Sequence, residues 1–209
     1  MDQAARDHFD RVVSLYTEIM EEIKLRHLSM SPAMNGELPI HPRTAFEHCY
    51  LQLRMICELI GLACLVVHGN ISVGKKSLLK EYKPGAIVSE LEKLHTDFYP
   101  HPGEQRLNAA GVPIELNEIA TGFLTKSDLV RLWNYCGNVL HRGSLKNLQL
   151  LLKQGGDFQE IQNWSQKIVT LLNHHQIAIA DSTSQIWVQM SNVESGGNVV
   201  ATLFELRPD

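Results

Sequence analysis

Little in this chain resembles a ready-made catalytic centre. Its 209 residues hold only four cysteines and no CxxC pair, which leaves a disulfide framework or a zinc ribbon without a basis. Cys49, Cys57, Cys64 and Cys136 lie among apolar neighbours and are expected as reduced thiols filling a core, a usage that favours a reducing compartment. Basic excess is also missing. Nineteen Lys and Arg stand against 23 Asp and Glu, for a net charge of −4, so nucleic-acid binding would need a local patch. The longest apolar run, Leu59–Val67, is too short to span a bilayer. The opening MDQAARDHFD is polar and acidic, unlike a secretory leader. A cytoplasmic protein without membrane association is therefore expected.

Motifs for common chemistries are absent as well. There is no HExxH and no paired Cys/His spacing, so neither metal nor cofactor is expected despite ten histidines. His95 and His101, loosely spaced across a proline, and the adjacent His174 and His175 at a helix end read as polar surface. No GxSxG is present, and Cys136 has no activating context. A phosphate loop is approached and missed. Gly69 is followed after four residues by Gly74 and Lys75, but Lys76 comes next and Ser77 arrives one position late for magnesium. The segment reads as a basic loop whose Lys75 and Lys76 could contact phosphate or a nucleotide.

What is present is a helical pattern followed by a β pattern. An amphipathic stripe runs from Ala4 to His27, and the Ser/Pro/Gly segment Ser29–Pro42 is expected to break it. Pro42 suits the first turn of a second long helix ending near His68 and Gly69. A short helix at Leu78–Tyr82 and another over Ala86–Phe98 follow. Residues 99–122 are expected as an irregular excursion with a helical turn at Glu104–Ala110. Three more helices are expected at Leu129–His141, Leu145–Gln154 and Phe158–His174, with Asp157 a candidate cap for the last. Beyond His175, the segments QIAIAD, SQIWVQMSNV and NVVATLFEL alternate with period two. The expected fold is mainly α (α+β): a bundle of five or six helices over residues 1–175 and a three-stranded antiparallel meander over 176–209. The meander needs the bundle or a partner to cover it.

Two helices carry polar residues that a plain core helix would avoid. On the later one, Arg131, Asn134, Asn138 and His141 fall within about a quarter-turn at 100° per residue. On the earlier one, Arg54 and Glu58 form an i,i+4 pair, with Glu47 and His68 nearby. If the stripes face each other they form a polar pocket; the competing reading is a buried ion pair that fixes helix register. Arginine clamps phosphate and histidine moves a proton near neutral pH, a set suited to metal-free RNA cleavage.

The run RLWNYCGNVLHRGS (Arg131–Ser144), after a helix bearing RMICE (Arg54–Glu58), resembles the HEPN-like helical-bundle family. That resemblance implies a compact, mostly dimeric bundle of the kind found in prokaryotic toxins and defence systems. Many members are metal-independent RNases, and others bind nucleotides or are inactive. By the resemblance His141 is the acid/base, Arg54 or Arg131 the phosphate clamp, and Glu58 the residue orienting Arg54. Asn134, Asn138 and Arg142 would contact substrate. The departure is in spacing: nine residues separate Arg131 from His141, and Leu132, not a polar residue, follows the arginine. Two further readings stand beside the nuclease. One is a non-catalytic homodimer whose C-terminal strands dock a protein partner, and the other is a nucleotide-binding protein using Gly69–Lys76.

Overall fold

A computed structural model of the chain describes residues 3–68, 80–107, 109, 113–141, 158–179 and 184–205. Among them are five helices: α1 (Gln3–Met34), α2 (Pro42–Val67), α3 (Pro84–Leu94), α4 (Lys126–Leu140) and α5 (Gln159–Leu172). Five strands complete the fold: β1 (His101–Leu107), β2 (Pro113–Glu118), β3 (His174–Ala178), β4 (Ser184–Gln189) and β5 (Val200–Glu205). The architecture is mainly α with a β part, as expected. The expected helix at Leu145–Gln154, the Asp157 cap and the first two residues of Leu78–Tyr82 lie outside the described residues, and Glu81 and Tyr82 are not helical.

Helix α1 runs past the expected break and contains Pro32. The proline sits in the last turn and has no N–H to give the Leu28 carbonyl, a loss of one intrahelical bond that the packing of α1 on α2 offsets. Gly36 then takes φ +72°, and Glu37 N–H donates to Pro32 O at 2.9 Å, the closure that a left-handed glycine provides. Helix α2 starts at Pro42 behind His41, whose Nδ1 accepts the Arg43 N–H at 3.2 Å. By length and composition α2 could cross a membrane, yet its residues from Ala45 to Val67 are mostly buried. It is the central helix of the core. Tyr16, Met20 and Ile23 of α1 and Leu53, Ile56 and Ile60 of α2 lose essentially all exposure. Each such side chain stabilises by about 1.5–3 kcal/mol relative to its exposed state.

The sheet departs from the expected meander. It has five strands in the order β2-β1-β3-β4-β5, all antiparallel. The added pair comes from the segment expected to be irregular, and Glu104–Leu107 is strand where a helical turn was expected. β1 and β2 form a hairpin with Gly103 opposite Glu118 and Arg106 opposite Glu115. Its first residues pair with β3, His101 opposite Gln176 and Pro102 opposite His175, which joins the hairpin to the C-terminal strands. Period-two alternation is present in PIELNE, but the flanking prolines and glycines hide it. β3 begins at His174, so α5 ends two residues earlier than expected. Helix α1 packs on β5, and α5 on β1 and β3.

Candidate functional site

Arg54 and Glu58 meet α4, but not on its polar stripe. Arg54 Nε lies 3.4 Å from Glu58 Oε1, and the same oxygen accepts the Trp133 indole N–H at 2.9 Å. The Arg54 guanidinium carbon lies 4.1 Å from the centre of a Trp133 ring, and Nη1 donates to Trp133 O at 3.5 Å. Arginine, glutamate and tryptophan thus close a ring of contacts, with the two charged side chains only 20% and 16% exposed. Gly137 makes room for it: a Cβ there would stand 2.7 Å from Arg54 Nη1. A glycine inside a helix costs about 0.5–1 kcal/mol relative to alanine, and here it accommodates the guanidinium.

The stripe itself faces outward. Arg131 is 65% exposed, bonded to Asp128 Oδ1 at 2.6 Å, with its guanidinium carbon 5.1 Å from the Trp164 ring. Asn134 Nδ2 donates to Val130 O of its own helix at 2.9 Å, and Asn138 is exposed. His141 is the exposed C-cap, its N–H donating to Gly137 O at 2.9 Å. Trp133 and Gly137, not Arg131, Asn134 or Asn138, oppose Arg54. The two polar stripes therefore do not face each other, because α4 turns its polar side to water and a tryptophan and a glycine to α2. Lys75, Lys76 and Arg142 lie outside the described residues.

Other polar groups escaped the sequence reading. Tyr50 and Tyr135 both donate to Glu160 Oε2, at 3.3 and 3.0 Å. Burial, with Tyr135 and Glu160 beside it, pushes the Tyr50 phenol far up. Asp128 bridges Arg131 and Lys167, the latter at 2.8 Å; burial opposes its ionisation, but the Lys167 hydrogen bond and both cations hold its carboxyl below the usual range. Asp97 and His101 Nε2 form an exposed hydrogen-bonded pair beside a cavity of about 470 Å³ that Lys126 and Ser127 also line. The pair could move a proton.

His175 is a correction to the surface reading of the histidine pair. It is 1% exposed, Nδ1–H donates to Leu172 O at 2.8 Å, and Nε2 accepts the Tyr16 O–H at 2.8 Å. The carbonyl can only accept, which fixes the neutral tautomer. Burial pushes its pKa down to about 4. His68 is similar: buried, Nδ1–H on Cys64 O at 2.9 Å, with burial chiefly pushing it down to about 4. The four cysteines are free and buried, and burial pushes Cys136 up to about 12, far from a reactive thiolate.

Gly137→Ala isolates the packing of Arg54. Displacing the guanidinium outweighs the gain in helix propensity, so a net loss of about 1–2 kcal/mol is expected in urea denaturation. In an Arg54→Ala background the same substitution is expected to stabilise, by about 0.5–1 kcal/mol.

No protein-family model, no curated protein and no solved structure matches this chain.

Proposed function

We propose that this is a HEPN-like helical module that works by association, as a cytoplasmic homodimer, and not by cleaving RNA. The observation that carries this reading is the closed Arg54–Glu58–Trp133 cluster, in which the best candidate phosphate clamp is already spent on a carboxylate, an indole and a carbonyl. Arg131 is likewise engaged, by Asp128 and Trp164. Association has a natural place at β5, an edge strand of the sheet. Its Phe204 is 41% exposed and its ring centre lies 4.8 Å from that of Trp187. Among the described residues no strand pairs with the outer edge of β5, and such an edge with an aromatic on its face suits pairing with the same strand of a second copy, continuing the sheet across a two-fold axis.

Light scattering coupled to size exclusion tests this. The wild-type chain is expected at twice its 23.6 kDa mass, and Phe204→Lys at the single mass with its helical circular dichroism unchanged. A wild-type monomer at tens of micromolar would sink the reading.

One observation favours the nuclease instead: Gly137, against Arg54, lies one turn before His141. RNA cleavage in EDTA that His141→Ala abolishes without lowering the melting temperature would replace association by catalysis.

A further inference from the structure

A cavity of about 320 Å³ opens between α1, the end of α5 and the turn joining β4 to β5. Its wall is apolar: Ile23 and Leu28 from α1, Ile168, Val169 and Leu172 from α5, and Met190 from the turn. None of its lining residues belongs to the Arg54 cluster, and it is independent of the reading above.

The turn is a fixed wall. Lys24 Nζ donates to Met190 O at 3.2 Å and to Gly197 O at 2.9 Å, and pairs with Glu21 Oε2 at 2.8 Å. Glu21 Oε1 in turn accepts the Val199 N–H at 2.5 Å. Gly196 and Gly197, at φ +71° and +87°, give the chain the left-handed turn that this attachment requires.

The same contacts fix the charge the cavity offers. An ammonium has three protons, and those of Lys24 go to two carbonyls and a carboxylate. It has none left for an anion. His27 at the mouth has Nε2 on Ser165 Oγ at 2.6 Å, and burial lowers its pKa, so it stands neutral at pH 7. A charged ligand would lose its water here and find no counter-charge, a cost of several kcal/mol. An uncharged apolar molecule would lose only unfavourable hydration. Pockets of this size and lining, with a few neutral polar groups at the rim, are the usual form of small-molecule sites.

We infer that this cavity is a binding site for an uncharged, largely hydrocarbon small molecule. Asn173 and Ser191 at its rim offer a hydrogen-bonding group to an alcohol or amide head.

The test uses N-phenyl-1-naphthylamine, a neutral fluorescent probe, titrated into the full chain and competed by octanol, octanoate or octylamine. Saturable binding at one site per chain is expected, with octanol displacing the probe about tenfold or more better than either charged analogue. Leu28→Trp, which fills the cavity from a residue 59% exposed, is expected to weaken probe binding by about tenfold or more. Leu25→Trp, on the same helix, 61% exposed and outside the lining, is expected to leave it unchanged. Both variants should melt within a few degrees of wild type, since neither side chain is buried. Failure of the folded protein to bind the probe saturably would overturn the inference. So would equal binding by the two variants, or octanoate competing as well as octanol.

Discussion

Acidification from pH 7 to pH 4 is expected to unfold this protein. The cause is two neutral imidazoles in the core, His175 and His68, each with a folded pKa of about 4 against 6.5 when free. A folded pKa below the unfolded one means that the unfolded chain takes up protons first. The stabilisation is therefore complete above about pH 6.5 and is lost progressively as the pH falls toward 4. A difference of about 2.5 in pKa is worth about 3 kcal/mol per site, so the pair together withdraws about 6 kcal/mol. That is comparable to the whole stability of an ordinary domain, about 5–15 kcal/mol. Asp128 acts in the same direction at lower pH, since its depressed carboxyl stabilises only while ionised. Protonating His175 also ends its acceptance of the Tyr16 hydroxyl, the bond that ties α1 to β3. Far-ultraviolet circular dichroism against pH should show one cooperative loss with a midpoint between about 4 and 5. His68→Gln should flatten the pH dependence of the stability. Equal urea midpoints at pH 7 and pH 4.5 would contradict this assignment.

Arg54→Ala is expected to destabilise the fold by about 3 kcal/mol, because it strands the Glu58 carboxylate at a site only 16% exposed. It also removes the cation from the Trp133 ring and opens space beside Gly137. Replacing both charges by apolar residues of similar volume, Arg54→Met with Glu58→Leu, should recover most of the loss, since no unpaired charge remains. His141→Ala, at an exposed helix end, should fall within about 0.5 kcal/mol of wild type. A catalytic cluster would show a different pattern, with modest stability effects and a lost activity. Chemical denaturation of the three variants separates the two.

The helices were legible where periodicity was long and unbroken. α2 starts at Pro42 as expected, and α4 starts at Lys126, three residues ahead of the expected Leu129, behind Thr125, whose hydroxyl accepts the Asp128 N–H. α1 was read too short because Ser29–Pro32 carry the residue types of a loop. In the fold these positions continue a helix already packed against α2, and tertiary packing outweighs a weak local preference. β1 was hidden for a related reason: its one proline and one glycine break the alternation, while its pairing partners β2 and β3 supply the strand geometry from outside.

Half of the site was legible. The Arg54–Glu58 pair follows from i,i+4 spacing within one helix, which local sequence encodes. Its closure by Trp133 depends on how two helices dock across 75 residues of chain, and no local pattern carries that. Gly137 was the available signal, a glycine inside an otherwise good helix, which implies close approach by another group. The burial of His175 was unreadable for the same reason, since its partner Tyr16 stands 159 residues away.

The most direct test of the Arg54 cluster as a structural clamp is a double-mutant cycle between Arg54 and Glu58, measured by urea denaturation at pH 7 with alanine at either or both positions. A coupling of about 2 kcal/mol is expected from a half-buried pair that shares a carboxylate oxygen with an indole. A coupling below about 0.5 kcal/mol would contradict the clamp and return Arg54 to the list of groups held ready for a substrate.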